Sequence, residues 1–268
     1  MSIGIIGYGS MGKMLLDKFM SSNFINEGLY VSNRSIEKLS NIDKSINVCK
    51  TNSELASVSD IIILCIRPID FKDVLNDIKD VIKDDSIIIS LNGSIKFDTL
   101  SRIIDHKIAK VIPSVTAEIN KSQTLICFND KMTEIDKSKV DNLFKVIGNT
   151  IILEEKKMEI SSELVSCMPG FIASIFDCIY KEAKKHTSLS DEEIIKMLLN
   201  TIKSTSELML EKNMSFNEVV ERVATKGGIT EEGTKVIYEL FPITAQILFE
   251  NTLSKRKQTS KKVEKLLK

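Results

Sequence analysis

The chain has 268 residues, 43% hydrophobic and 28% charged, with 37 lysines plus arginines against 37 aspartates plus glutamates. That length allows one large domain or two ordinary ones with a sizeable core. A formal net charge of zero excludes a global basic field that would draw nucleic acid or an anionic membrane surface. The 5 cysteines, Cys49, Cys65, Cys127, Cys167 and Cys178, are odd in number and form no CxxC pair. This pattern argues for free thiols in a reducing compartment rather than a metal site or a disulfide framework. No basic segment precedes the first apolar run, and runs such as Ile61 to Ile66 are too short to span a bilayer. The expectation is a soluble, cytoplasmic protein with no metal and with neither membrane nor nucleic acid as a partner.

The elements begin with a strand over Ile3–Ile6, a glycine turn Gly7-Tyr8-Gly9-Ser10-Met11-Gly12, and a helix over Ser10–Ser21. Strand, GxGxxG and helix in that order are the context in which this motif binds a dinucleotide. Gly7 permits the tight turn, Gly9 lets backbone N–H groups approach the pyrophosphate, and Gly12 allows close helix–strand packing. A second strand, Gly28–Ser32, leads into Asn33-Arg34-Ser35. A site selective for NAD usually places an acid there for the ribose 2′-hydroxyl. Asn33 and Ser35 are hydrogen-bond donors instead, and Arg34 suits stacking on adenine and neutralising a 2′-phosphate. NADP(H) is therefore favoured, with NAD(H) left open.

Further strands follow at Asn47–Cys49, Asp60–Ile66, Ser86–Ser90 and Ala109–Ile112, separated by helical patterns at Ser53–Ala56, Phe71–Ile82 and Lys96–Ile104. Several strands are nearly continuous Ile, Val and Leu, as in a parallel sheet covered on both faces. Cys65-Ile66-Arg67-Pro68 ends the fourth strand and Leu91-Asn92-Gly93 the fifth, where the ligand crevice of such a sheet lies. Two more strands, Thr124–Phe128 and Asn149–Leu153, flank a helix over Glu134–Val146. The alternation predicts an α/β fold with a Rossmann-like doubly wound sheet.

After about Glu155 the pattern is helical, over Met158–Lys185, Asp191–Lys212, Ser215–Val223 and Ile243–Leu267. Pro169-Gly170 is expected to kink or break the first of these. Ser190 and Glu193 form a capping box for the second. Two domains follow: residues 1–155, which bind the nucleotide, and an all-helical 156–268. The basic residues near the C-terminus, Lys255 to Lys268, read as a solvated helix end or as a nucleic-acid tail, the former favoured.

A second glycine motif, Thr225-Lys226-Gly227-Gly228-Ile229-Thr230, lies between helical segments. Paired glycines before a helix make either a nest of N–H groups for a carboxylate or a helix–helix turn capped by Thr230.

Taken together, these motifs resemble the pyrroline-5-carboxylate reductase family nearly end to end. The resemblance is carried by the first glycine turn, Asn33-Arg34-Ser35, Asn52, Ile66-Arg67-Pro68, Ile112-Pro113-Ser114-Val115-Thr116, Val165-Ser166-Cys167-Met168-Pro169-Gly170, and Gly227-Gly228-Ile229-Thr230. It implies NAD(P)H-dependent reduction of a small cyclic imino acid, 1-pyrroline-5-carboxylate, to proline. It further implies a helical domain that forms homodimers or larger homo-oligomers. Backbone groups of Gly227, Gly228 and Ile229 would hold the substrate carboxylate, and the Thr230 hydroxyl would bond the ring nitrogen as it becomes an amine. Three segments depart from the family pattern. Lys226 and Ile229 replace a proline and a threonine, the segment from Ile112 lacks an amide and a second proline, and Val165–Pro169 replaces Ser-Gly-Ser-Gly-Pro. Those variants resemble the late-competence branch, which leaves a second reading: an NADP-binding paralogue with a regulatory or interaction role. A third is a different substrate on the same scaffold, such as another imine or a 3-hydroxy acid; a hydroxy-acid dehydrogenase wants a lysine near Pro169, and the lysines of that helix lie at its ends.

Overall fold

Short runs of β-branched residues set the sheet of this protein. The computed structural model describes residues 1–22 and 28–267. Eight strands form one sheet: β1 (Ile3–Ile6), β2 (Leu29–Ser32), β3 (Ile46–Val48), β4 (Ile61–Leu64), β5 (Ile87–Ser90), β6 (Ile108–Ile112), β7 (Ser122–Phe128) and β8 (Gly148–Ile152). Their order is β3-β2-β1-β4-β5-β6-β7-β8. All pairs are parallel except β6 with β7. Every residue of β1, β4, β5 and β6 is buried, which explains why these strands read as continuous apolar runs rather than alternating ones.

Helices cover both faces. On one, α1 (Ser10–Met20) and α5 (Glu134–Phe144) contribute Leu15, Leu16, Phe19, Val140, Leu143 and Phe144 to a core with Ile3, Ile5, Ile61 and Ile63. The Phe19 and Phe144 rings meet edge to face, 5.9 Å between centroids and at 82°. Each fully buried Leu or Phe side chain here is worth about 1.5–3 kcal/mol, so α1 is held firmly against the strand that carries the first glycine turn. On the other face, α2 (Asn52–Val58), α3 (Phe71–Ile78) and α4 (Phe97–Ser101) pack with Ile62, Leu64 and Ile88. Val263 and Leu267 join that core. The doubly wound α/β architecture is the one expected.

The chain divides into two compact units, residues 1–167 with the segment from Leu253 onward, and Met168–Thr252. The change of pattern in the sequence falls at 155 instead. Between these points α6 (Met158–Ser162) buries Met158 against Ile112, Leu125 and Cys127, and so belongs with the sheet. A π-helical stretch, Glu163–Cys167, follows, and α7 (Met168–Ala183) begins one residue before Pro169. The expected break at Pro169-Gly170 thus takes the form of a wider turn just upstream, which absorbs the missing proline N–H.

The second unit is helical, with α7, α8 (Asp191–Lys212) and α9 (Phe216–Val223). Ser190 and Glu193 form the expected capping box, and Ser215 and Glu218 form another. The last helix, α10 (Ile229–Leu267), contributes residues to both units. It starts well before the expected Ile243 and runs through Pro242, which removes one backbone hydrogen bond and crowds the carbonyl four residues back. Among the buried apolar residues described, Ile194 alone comes from this unit, while Leu199, Leu210, Ile237, Leu240 and Ile243 are exposed.

By length and composition the helical stretch Glu155–His186 is apolar enough to cross a bilayer, with a mean hydropathy of 1.4 over its best window. Counting only uninterrupted apolar runs overlooked it, because Ser, Gly and isolated charges punctuate it. It is also the surface composition of a helix that seeks a protein partner.

Candidate functional site: a cavity at the carboxyl ends of β1, β2 and β4

The strand order reverses between β1 and β4, and crevices in such sheets open beyond the carboxyl ends at that point. The chain leaves β1 through Gly7, whose N–H donates to the Ser32 carbonyl at 2.9 Å, and the Cys65 N–H donates to the Ile6 carbonyl at 2.9 Å. Gly7 has φ +102°, and a Cβ there would sit 2.5 Å from the Cys65 carbonyl oxygen. Gly12 packs so closely that a Cβ would collide with the Gly7 carbonyl oxygen, whereas a Cβ on Gly9 would meet nothing within 4 Å. Gly7 and Gly12 are therefore required by the fold. Gly9 caps α1 in an extended conformation, and the first turn of that helix carries no acid. An open, positively polarised helix end of this kind favours an anion.

A cavity of about 620 Å³ opens there, and Gly7, Tyr8, Gly9, Asn33, Arg34, Ser35, Asn52, Cys65, Ile66 and Arg67 line it. A hydrogen-bond chain fixes its floor. Tyr8 N–H donates to Asn33 Oδ1 at 3.0 Å, and Asn33 Nδ2 donates to the Ser35 carbonyl at 2.9 Å. Ser32 Oγ donates to Asn52 Oδ1 at 2.9 Å, and Asn52 Nδ2 donates to Asp77 Oδ2 at 3.3 Å. Burial pushes the Cys65 thiol up to about 12, so it stands neutral beside the glycine turn.

Other residues singled out from the sequence lie elsewhere. Ser10 and Met11 begin α1, with Met11 packed on the core. Pro68 opens a short 3₁₀ turn outside the cavity lining. Asn92 and Gly93 lie beyond β5, away from the lining. Asn92 Oδ1 accepts the Ser94 N–H at 2.9 Å, and a Cβ on Gly93 would meet Ile112 at 3.4 Å and Arg256 at 3.8 Å. Arg256 is not part of a solvated basic end. It is 16% exposed and pairs at 2.8 Å with Glu163, which is 2% exposed. Lys268 lies outside the described residues.

Lys38, Lys50, Thr51, Asp70, Asp73 and Asp77 also line the cavity. Lys50 and Thr51 lie just beyond Cys49 at the carboxyl end of β3, so the rule that ligands gather at strand carboxyl ends points to them. Asp70, Asp73 and Asp77 share one face of α3 and its approach; their periodicity marks a polar helix face and no more. Among the described residues no group of three or more His, Cys, Asp or Glu is placed to hold a metal.

In the second unit, Gly227 has φ +72°, and its N–H donates to Glu231 Oε2 at 2.7 Å. Gly228 N–H donates to the Thr225 carbonyl at 2.8 Å, and a Cβ on Gly228 would lie 2.6 Å from Thr225 Oγ1. Both glycines make a tight turn into α10, with Ile229 94% exposed and Thr230 exposed in the first helical turn.

Comparison with known proteins agrees with this architecture. Residues 2–93 match the family model described as "NADP oxidoreductase coenzyme F420-dependent", and residues 155–258 match "Pyrroline-5-carboxylate reductase dimerisation". The chain is 31% identical to pyrroline-5-carboxylate reductase 3 of Bacillus subtilis over 98% of both chains. It is 28% identical to ComE operon protein 4 of the same organism, over 99% of this chain and 98% of that one. Among solved structures, the NADP-bound pyrroline carboxylate reductase of Plasmodium falciparum superposes with a TM-score of 0.84 at 24% identity, covering 98% of each chain. The 1-pyrroline-5-carboxylate reductase of Streptococcus pyogenes gives 0.86 at 22%, covering 96% of this chain and 98% of that one.

Proposed function

Since the chain belongs to the pyrroline-5-carboxylate reductase family, we propose that it reduces 1-pyrroline-5-carboxylate to proline with NADPH as its preferred coenzyme. The observation that carries the coenzyme half is Gly9: the fold has room for a side chain at that position, and a ligand that approaches the backbone has not. The N-terminus of α1 holds the pyrophosphate, and Arg34, Lys38 and Lys50 supply positive charge for a ribose 2′-phosphate. Reduced nicotinamide, when bound, supplies a hydride. The chain's own task is to position and to place charge. Gly227, Gly228 and Ile229 form the turn on which the substrate carboxylate rests, at the positive end of α10. The Thr230 hydroxyl bonds the ring nitrogen as the C=N bond takes up hydride at carbon and a proton at nitrogen. In this reading residues 1–155 hold the coenzyme, and residues 156–268 bind substrate and dimerise.

Thr230→Val keeps the shape and removes the hydroxyl. It is expected to lower kcat about 10²-fold or more with NADPH affinity unchanged, measured by NADPH oxidation and by coenzyme titration. Equal kcat in the two proteins would remove Thr230 from the chemistry.

One observation favours a second reading, an NADP-binding paralogue with a regulatory or interaction role. The Gly227 N–H is already bonded to the Glu231 carboxylate and the Gly228 N–H to Thr225, which leaves fewer donors for a substrate carboxylate. NADPH binding without any turnover would select it.

A further inference from the structure

One wall of the cavity holds an acid between two bases. Arg34 follows β2 and Arg67 follows β4, and both guanidinium groups reach Asp70, the residue before α3. Arg34 NH1 lies 3.5 Å from Asp70 Oδ1. Arg67 donates to Oδ2 from Nε at 2.9 Å and to Oδ1 from NH2 at 3.2 Å. The arginine side chains are 79% and 66% exposed and Asp70 is 29% exposed. Exposed pairs of this kind are weak and exchangeable, whereas a phosphate dianion presents more charge and three acceptor oxygens to a guanidinium. A carboxylate in this place also meets the other coenzyme's need: an acid near the end of β2 is what accepts the 2′-hydroxyl of NAD. Asn33, Arg34 and Ser35, directly after β2, include no acid, and the turn before α3 brings one to the same guanidinium from a different part of the chain.

We propose that Asp70 is the specificity-determining residue of this site, holding the donors a 2′-phosphate would take and so narrowing the preference for NADPH over NADH. NADPH binding displaces the Asp70 carboxylate from at least one arginine and sets two anions near each other. NADH binding does neither, and its ribose hydroxyl finds an acceptor. Arg34 alone signals strict NADP selection; Arg34 joined to Asp70 gives a site open to both coenzymes. This inference rests on the reading of the cavity as the coenzyme site.

The test is equilibrium binding of NADPH and NADH, by calorimetry at fixed ionic strength, to the full chain and to Asp70→Asn, Asp70→Ser and Asp73→Asn. Asp73 lines the same cavity and makes no ion pair with either arginine among the described residues, so Asp73→Asn reports the general effect of losing one negative charge. The ratio of Kd for NADH to Kd for NADPH is expected to rise about tenfold in both Asp70 variants, the size of one charge-assisted bond exchanged at an exposed site, and to change less than about threefold in Asp73→Asn. An unchanged ratio in the Asp70 variants, or an equal rise in Asp73→Asn, overturns the role of Asp70 and leaves the coenzyme reading standing. Failure of the unmodified chain to bind NADPH at all overturns both.

Discussion

Gly9 and Gly12 are glycines for different reasons, and two substitutions separate them. A Cβ at Gly12 collides with the Gly7 carbonyl oxygen, so Gly12→Ala is expected to destabilise the fold by about 1–3 kcal/mol as well as to abolish coenzyme binding. A Cβ at Gly9 meets nothing, and its extended backbone suits alanine. Gly9→Ala is therefore expected to leave thermal unfolding without coenzyme unchanged and to weaken NADPH binding at least about tenfold, since a methyl group then stands where the pyrophosphate approaches. A parallel loss of stability and affinity in Gly9→Ala would contradict the assignment of the cavity. At this scale the site was readable where its constraint is local. The glycine turn, Asn33 and Arg34 are adjacent in sequence to the strands that position them. Asp70 and Lys38 were not legible as cavity-lining residues, because a 3₁₀ turn and a helix approach bring them to the cavity and neither has a motif of its own.

The elements are fastened by a few charged contacts whose strengths are open to measurement. Glu163, in the π-helical stretch, is 2% exposed and its Oε2 has no hydrogen-bond partner within geometric reach among the described residues; Arg256 on α10 binds the other oxygen. Removing the cation leaves a buried, uncompensated carboxylate. Arg256→Met is expected to cost about 3–5 kcal/mol in urea unfolding, and the double variant Glu163→Leu/Arg256→Met to recover about half of that or more. A double variant no better than the single one would mean that the side-chain shapes, not the charges, hold this contact. Asp60 fastens the start of β4. Burial alone would raise its carboxyl pKa, but Lys83 and the Ser2 N–H and hydroxyl outweigh burial and hold it at about 2, against an ordinary 3.8. A folded-state pKa below the unfolded one gives stability that is present above about pH 4 and lost as pH falls through about 2. Asp60→Asn should accordingly be less stable than the parent at neutral pH, with the gap closing over that window. A gap that stays constant to pH 2 would assign the effect to shape. Strand positions were legible to within a residue or two because parallel strands bury both faces. The start of α10 was not, since Pro242 reads as a boundary although the helix runs through it.

Taken whole, the chain joins a sheet unit rich in fully buried side chains to a helical unit whose apolar residues remain mostly exposed. The match to a dimerisation domain over residues 155–258 accounts for that exposure and for the apolar character of Glu155–His186. Light scattering is expected to give at least twice the chain mass, and Ile237→Glu with Phe241→Glu to reduce it, with NADPH affinity retained. A monomeric parent chain would contradict a dimerising role for these helices. The change of periodicity near residue 155 marks where the strands end, whereas the two compact units divide after Cys167, with the segment from Leu253 onward in the first. The return of the last helix to the first unit was not legible, because Val263 and Leu267 follow the same helical spacing whether they face a sheet or a partner.

The proposed activity is reduction of a cyclic imine, 1-pyrroline-5-carboxylate, by NADPH. It is tested most directly by following NADPH oxidation by the purified chain on addition of 1-pyrroline-5-carboxylate, with proline identified as the product. The account predicts saturable turnover that Thr230→Val lowers about 10²-fold or more. Bound NADPH with no oxidation above background at saturating substrate would contradict it.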